Sequence, residues 1–255
     1  MSTIAVTGSA SGIGAAVCLR LEAAGHTLIR VDRVNADIEA DLSTPEGRQL
    51  AVTQTLKLCN NKLDAVVCCA GVGVTAPSSG LIASVNYFGV TEYIDGLQDT
   101  LAQSGTGNAV IIGSVAASSQ VANPHAIAAA MLENDEAKAC QIAEACQAPH
   151  IVYAASKYAA TVYGRRTAVS WGKQGMRLNI IAPGAVETPL HQASMDDPRF
   201  GEAVKNFVAP LGRAGLPDEI AAGVEFLVSD QARFINGTVL FIDGGMDAMI
   251  RADQF

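Results

Sequence analysis

The chain has 255 residues, of which 49% are hydrophobic and 16% charged, and its formal net charge is −8. This length suits one α/β domain, and the composition excludes a disordered chain. The negative charge argues against nucleic-acid and anionic-membrane partners, because both require basic patches. No apolar run reaches the about 18 residues of a membrane span, and the N-terminus lacks the basic start of a signal peptide. We therefore expect a cytoplasmic protein.

Short apolar runs alternate with helix-length stretches along the chain. The predicted strands are Thr3–Thr7, Thr27–Asp32, Leu63–Ala70, Ala109–Ser114, Met176–Ala182 and Val239–Ile242. The predicted helices are Gly12–Ala24, Pro45–Cys59, Leu81–Ala102, Tyr153–Lys173 and Pro217–Val228. The central strands are apolar almost throughout, which is typical of parallel strands buried on both faces. The pattern predicts an α/β fold of the Rossmann type, a doubly wound parallel sheet in one domain of residues 1–255.

Ligands of such sheets bind beyond the carboxyl ends of the strands. The first strand runs into a turn with three glycines, Gly8, Gly12 and Gly14, and with Ser11 and Ile13 between them. Glycines allow the sharp turn, a close approach of pyrophosphate and close packing of the next helix, whose N-terminus favours phosphate. The spacing differs from G-x-G-x-x-G, and a plain tight turn is the alternative. We assign this turn to a dinucleotide.

The second predicted strand ends at Asp32, 18 residues beyond Gly14. A carboxylate at this place accepts hydrogen bonds from the adenine ribose and repels a 2′-phosphate, so it favours NAD over NADP. Arg33 follows directly and argues the other way, because arginine can pair with that phosphate. Asp41 and Leu42 are candidates for the adenine, although Asp41 could equally belong to the cap of the next helix. NAD(H) is the expected cofactor.

Tyr153 and Lys157 are spaced four residues apart and so share one face of a predicted helix. A tyrosine titrates near pH ~10, and an ammonium beside it and an oxidised nicotinamide would both lower its pKa. Tyr153 could then exchange a proton with a carbonyl or alcohol. Ser114, at the end of a predicted strand, could hydrogen-bond the same oxygen. These three residues predict a nicotinamide-dependent oxidoreductase.

With these motifs the chain resembles the short-chain dehydrogenase/reductase family over nearly its whole length. Further matches are Asp41, Ala70-Gly71, Asn86, Pro183-Gly184 and Asp243-Gly244-Gly245. The resemblance implies that Lys157 also binds the nicotinamide ribose and that Pro183, Gly184, Val186 and Thr188 surround the nicotinamide. It implies that Asn86 holds a water in a proton relay, although a helical asparagine can also simply bond nearby backbone. The family's Asn-Asn-Ala-Gly is Cys68-Cys69-Ala70-Gly71 here, so cross-sheet asparagine bonds must be absent.

The chain carries an insertion at about 118–150, since 38 residues separate Ser114 from Tyr153, whereas family members usually hold them far closer. Its stretch Ala126–Gln147 is predicted to be helical. In relatives the helix with the tyrosine and Leu81–Ala102 often form a four-helix dimer contact, which this insertion should obstruct. Association should then use Pro217–Val228 and the last strand, which predicts a homodimer.

The substrate is expected to be a large hydrophobic molecule, because the insertion and the predicted lid Glu187–Phe207 are partly apolar. Met195, Phe200, Phe207 and Val208 are the expected apolar lining, whereas His125, His150 and His191 are expected on the surface. The insertion and the C-terminal tail resemble bacterial hydroxysteroid dehydrogenases of this family. This resemblance implies interconversion of 3α-hydroxysteroids and 3-ketosteroids, with side activity on other carbonyl compounds. Reduction of acyl-thioester ketones or small carbonyls is the alternative, and a non-catalytic NAD-binding regulator is a remote one.

Overall fold

The computed structural model describes residues 1–60 and 62–254. Its strands are β1 (Thr3–Thr7), β2 (Thr27–Asp32), β3 (Ile38–Glu39), β4 (Ala65–Cys68), β5 (Asn108–Ile112), β6 (Arg177–Pro183) and β7 (Val239–Ile242). They form one parallel sheet in the order β3-β2-β1-β4-β5-β6-β7. The predicted Rossmann-type fold is confirmed. The short strand β3 was not predicted, because two residues are too few to show a period of alternation.

Helices cover both faces of the sheet. They are α1 (Gly12–Ala23), α2 (Pro45–Leu58), α3 (Ser79–Ala83), α4 (Gly89–Gln103), α5 (Ala126–Leu132), α6 (Glu136–Cys146), α7 (Pro149–Gly172), α8 (Pro189–Asp196), α9 (Gly201–Asn206), α10 (Pro217–Val228) and α11 (Met246–Ile250). Helices α1 and α10 share one apolar core with the sheet, and α2, α4 and α7 share the other. Both faces of the central strands are therefore buried, which explains their apolar sequences.

Two predicted boundaries are wrong in ways that bear on the site. The helix predicted to begin at Tyr153 begins at Pro149, whose fixed φ suits a first helical position. The helix predicted over Leu81–Ala102 is divided by a π-helical turn at Ser84–Phe88. Such a turn inserts one residue into the helix and is often found where a helix lines a functional site. Asn86 is at the centre of this turn.

The insertion forms two helices, α5 and α6, and not one continuous helix. Asp135 separates them and caps α6, because its side chain accepts a hydrogen bond from the Lys138 N–H. Helix α5 packs on α7, and α6 packs on α3. The Arg48 side chain on α2 is only 1% exposed. Its guanidinium pairs with Glu136 of α6 at 2.5 Å and with Glu92 of α4 at 2.7 Å, and so joins α6 to both helices. The insertion is therefore anchored to the core rather than lying loosely on it.

No helix among residues 1–60 and 62–254 is long and apolar enough to cross a membrane. The six cysteines are free thiols, of which Cys18, Cys59 and Cys68 are buried and the other three half-buried. Burial raises the pKa of Cys68 to about 12. This thiol therefore stays protonated at neutral pH and is a poor nucleophile.

Candidate active site

A cleft of about 450 Å³ lies along the carboxyl ends of the strands. It brings together the residues that the sequence assigned to the cofactor and to catalysis, from positions throughout the chain. These are Gly8, Ser11, Gly12, Ile13, Gly14, Asp32, Arg33, Asp41, Leu42, Ala70, Gly71, Ser114, Tyr153, Lys157, Pro183, Gly184, Val186 and Thr188. Asn86 is the exception, since its side chain is fully buried behind this surface.

The glycine turn connects β1 to the N-terminus of α1 at one wall of this cleft. Gly8 has a φ of +68° and Gly12 a φ of +52°, a region that other residues rarely adopt. A Cβ on Gly14 would lie 2.0 Å from the Gly8 carbonyl oxygen, so only glycine allows α1 to start this close to the strand. The free N–H groups of the first turn of α1 therefore face a space that suits a pyrophosphate.

Asp32 ends β2 and is tied to the glycine turn by its own carboxylate. One oxygen accepts the Ala10 N–H at 2.9 Å, and the other accepts the Arg33 N–H at 2.6 Å. Each carboxylate oxygen has a second lone pair, so both can still accept a ribose hydroxyl. Asp41 accepts the Ser43 N–H at 2.9 Å and also lines the cleft. This position is compatible with both predicted roles, in the turn before α2 and at the adenine.

Ser114, Tyr153 and Lys157 meet at the middle of the cleft. Ser114 follows β5 and is 9% exposed, and its hydroxyl accepts the Ala116 N–H. Tyr153 and Lys157 lie one turn apart on α7, with the Lys157 Nζ 6.0 Å from the centre of the Tyr153 ring. The Lys157 Nζ donates to the Ile112 carbonyl at 2.8 Å. Strand β5 thus fixes both the serine and the ammonium.

Burial shifts the pKa values of Tyr153 and Lys157 in ways that their spacing alone did not predict. Burial raises the pKa of Tyr153, and the neighbouring Ser114 hydroxyl opposes this rise. Burial lowers the pKa of Lys157 to about 8. The ammonium therefore persists at neutral pH but does not by itself bring the phenol into its working range. An additional positive charge beside the phenol would lower its pKa.

Asn86 connects the loop after β4 to α7 through its side chain. Its Oδ1 accepts the Val72 N–H at 2.8 Å, and its Nδ2 donates to the Val72 carbonyl at 3.0 Å and to the Ser156 hydroxyl at 3.2 Å. Protein groups therefore use both amide hydrogens and one lone pair of the Oδ1. Ser156 was not among the predicted site residues. A hydroxyl between Tyr153 and Lys157 in an otherwise apolar helix face could have indicated it.

The cysteine pair in place of two asparagines changes how β1 and β4 are joined. The Ala70 N–H donates to the Thr7 hydroxyl at 3.2 Å, and the Cys69 N–H donates to the Thr7 carbonyl at 3.2 Å. Thr7 therefore joins β1 to the loop after β4 through its hydroxyl and its carbonyl. The Ala70-Gly71 backbone keeps its place in the cleft wall.

The apolar lining of the cleft is not the one that the sequence predicted. Its apolar side chains include Val74, Leu81, Val85, Leu190 and Val204. Among the described residues, none of 115–152 lines the cleft, because the apolar side chains of α5 are packed in the core. Of the predicted lid residues, neither Met195 nor Phe200 lines it, and Phe207 and Val208 are exposed.

The lid contacts both walls of the cleft. A Cβ on Gly12 would lie 3.3 Å from the Thr188 side chain, and a Cβ on Gly73 would lie 3.0 Å from the Leu190 side chain. His191, expected on the surface, is half-buried in the cleft wall, and burial lowers its pKa. His125 caps α5 through its Nδ1, and His150 lies against the Phe200 ring.

Comparisons with known proteins show which family the chain belongs to. The family described as short chain dehydrogenase matches residues 2–130, and that described as enoyl-(acyl carrier protein) reductase matches residues 139–247. The 3-alpha-hydroxysteroid dehydrogenase/carbonyl reductase of Comamonas testosteroni is 44% identical over 100% of both chains. The D-threitol dehydrogenase of Mycolicibacterium smegmatis is 34% identical over 94% of this chain and 90% of its own.

One solved structure is similar over its whole length. It is the 3-alpha-hydroxysteroid dehydrogenase from Pseudomonas sp. B-0831 complexed with NADH, which is 55% identical, covers 100% of both chains and superposes with a TM-score of 0.97. Since both the family match and the full-length relatives agree with the fold and the cleft, the chain belongs to the short-chain dehydrogenase/reductase family of oxidoreductases.

Proposed function

We propose that the chain is an NAD(H)-dependent oxidoreductase that interconverts 3α-hydroxysteroids and 3-ketosteroids, with side activity on other carbonyl compounds. The observation that carries this proposal is the cleft that holds Ser114, Tyr153 and Lys157 beside apolar side chains. Large apolar ligands bind in clefts that are mostly apolar with a few convergent polar groups. The full-length relatives from Comamonas and Pseudomonas support the substrate class.

The residues of the glycine turn would hold the pyrophosphate, and Asp32 would bind the adenine ribose. Leu42 and Asp41, which line one end of the cleft, would contact the adenine, and Ala70-Gly71 would flank its ribose. Pro183, Gly184, Val186 and Thr188 would hold the nicotinamide, and Lys157 its ribose. When bound, NAD(H) would supply or accept the hydride, and its oxidised form would add a positive charge beside Tyr153. The chain's own residues fit this group along the whole cleft.

Catalysis by the chain consists of proton transfer and orientation. Tyr153 gives its phenolic proton to the carbonyl oxygen during reduction and takes it back from the alcohol during oxidation. Ser114 donates a hydrogen bond to the same oxygen and fixes the direction in which it points. The Lys157 ammonium stabilises the phenolate form of Tyr153, although burial alone raises the pKa of that phenol.

We also assign a supporting role in proton relay to Asn86. Because its side-chain amide is occupied by Val72 and Ser156, the water of this relay would bind the backbone carbonyl of the π-helical turn. The side chain would then keep that turn in place against α7. This separates the two functions of one residue, a structural one for the side-chain amide and a water-binding one for the backbone carbonyl.

The direct test is turnover of androsterone against its 3β epimer with NAD. We expect oxidation of the 3α epimer and little oxidation of the 3β epimer. Turnover of a polyol such as D-threitol without turnover of either steroid would contradict the proposal and favour the activity of the Mycolicibacterium relative. Turnover of only small ketones would leave a carbonyl reductase without steroid specificity.

The choice of NAD over NADP should depend on Asp32. Asn at this position can still accept the Ala10 N–H through its carbonyl oxygen, so Asp32→Asn removes the charge and, of the two backbone hydrogen bonds, only the one from the Arg33 N–H. We expect the Kd of NAD to rise about tenfold and that of NADP to fall, because the repulsion of a 2′-phosphate is lost and Arg33 remains. Fluorescence titration with both reduced cofactors measures this. Equal weakening of both would remove Asp32 as the determinant.

We propose that the chain forms a homodimer through α10 and the edge strand β7. Helix α5 of the insertion lies on α7, one of the two helices of the four-helix contact, and so should obstruct that contact. The side chains of β7 are only half-buried, and Phe226 on α10 is exposed, so this surface presents apolar groups to a partner. Light scattering should give twice the chain mass. A tetrameric mass would contradict the proposed obstruction.

A further inference from the structure

Helix α3 separates the insertion from the cleft. On its cleft side, Leu81 and the following Val85 line the cavity. On its other side it packs against α6, the second inserted helix. The insertion, which supplies no lining residue among those described, therefore lies directly behind an apolar part of the cleft wall.

Two residues of α6 contact α3 and the π-helical turn that follows it. Each contact is made one position before a lining residue. The Glu144 Oε1 accepts the Gly80 N–H at 2.7 Å, one residue before Leu81. The Cys140 Sγ lies 3.4 Å from the Ser84 hydroxyl, one residue before Val85. A Cβ on Gly80 would lie 2.9 Å from the Glu144 Oε1 and 3.5 Å from the Cys140 Cβ, so glycine permits this approach.

The other end of α6 is fixed independently. Glu136 forms two hydrogen bonds with the buried Arg48 guanidinium, at 3.1 and 2.5 Å. Arg48 also donates to the Leu42 carbonyl at 3.4 Å, and Leu42 lines the far end of the cleft. Helix α6 thus spans from a buried ion pair to the base of the apolar wall, and it cannot move away from α3 without breaking one of these contacts.

We propose that the insertion determines substrate specificity without lining the cleft. Glu144 is the positioning residue: it holds α3, and thereby keeps Leu81 and Val85 in the position that binds substrate. The inference rests on the proposed function only for the class of substrate, a large hydrophobic ketone. A mobile wall lowers the fraction of the chain that can bind, and the apparent Kd rises by the same factor. Small carbonyl substrates need only Ser114 and Tyr153, so their KM should not depend on the position of this wall.

The test compares Glu144→Ala with Glu144→Gln, which can still accept the Gly80 N–H. For Glu144→Ala we expect the KM of a steroid 3-ketone to rise about five- to tenfold with kcat nearly unchanged. The KM values of NADH and of a small aromatic aldehyde should stay within about twofold. Glu144→Gln should restore the steroid KM. Lys138→Ala, which breaks an exposed ion pair with Glu133 near the other end of α6, is the matched control.

A second measurement needs no substrate. Amide hydrogen exchange over residues 80–85 should be faster in Glu144→Ala than in the wild type and unchanged in Glu144→Gln. Gly80→Ala, which pushes α6 away from the other side, should repeat both effects. An equal rise of KM for large and small substrates, or unchanged exchange in Glu144→Ala, would overturn the inference. A wild-type chain that reduces the aldehyde and no steroid would refute the proposed function instead, and the exchange result would still decide the inference.

Discussion

Replacement of Tyr153 by phenylalanine is expected to lower kcat about a thousandfold while the Kd of NADH stays within about twofold. The phenylalanine keeps the ring that forms part of the cleft wall and removes only the hydroxyl that exchanges the proton. Ser114 can still orient the carbonyl oxygen, but its hydroxyl has no proton that it can give up at neutral pH. Stopped-flow turnover and NADH fluorescence titration measure the two quantities separately.

The matched control is Tyr158→Phe on the same helix. Tyr158 is half-buried, packs against the core and does not line the cleft. Its replacement also removes one phenolic hydroxyl from α7, and we expect turnover close to that of the wild type. Turnover of Tyr153→Phe within tenfold of the wild type would show that another group carries the proton. The half-buried His191 would then be the first candidate, because it lines the same cleft.

The parts of the site that the sequence predicted are those determined by local chain geometry. The glycine turn follows a strand directly, and Tyr153 and Lys157 share a face because they are four residues apart. Ser114 and Asp32 were found because the carboxyl ends of parallel strands meet at one edge of a sheet. In each case a residue's place followed from its own element, without knowledge of how distant elements pack.

The parts that were missed depend on contacts between distant segments. Glu144 and Gly80 are 64 residues apart, and nothing near either residue indicates the hydrogen bond between them. The predicted lid contains several large apolar residues, and helices α8 and α9 decide which of them face the cleft. Leu190 contacts Gly73 and lines the cleft, whereas Phe207 is exposed. Hydrophobicity alone could not make this distinction.

Sequence spacing predicts that Lys157 lowers the pKa of Tyr153, but it does not predict how burial changes both pKa values. Spacing places the two groups on one face, but burial raises the pKa of Tyr153 and lowers the pKa of Lys157. Burial disfavours the phenolate and the ammonium alike. A positive charge near the phenol would therefore favour the phenolate against the effect of burial.

Replacement of Lys157 by methionine should lower kcat/KM about a hundredfold or more and, unlike Tyr153→Phe, should also raise the Kd of NADH about tenfold. Lys157 is 5% exposed and methionine fills a similar apolar volume, so the fold should tolerate the change. The loss arises because the ammonium both stabilises the phenolate and binds the nicotinamide ribose. Lys173→Met, at the exposed end of α7, is the control and should leave both quantities unchanged.

The pH dependence of NADH binding gives the sharper version of this prediction. Since burial lowers the pKa of Lys157 to about 8, the ammonium is present below that pH and is lost above it. The cationic form favours a ligand with an anionic pyrophosphate, so the Kd of NADH for the wild type should rise as the pH increases through about 8. In Lys157→Met this rise should disappear, because no group in that position titrates. A rise of the same size in the variant would assign it to another group, and would remove Lys157 from the cofactor site.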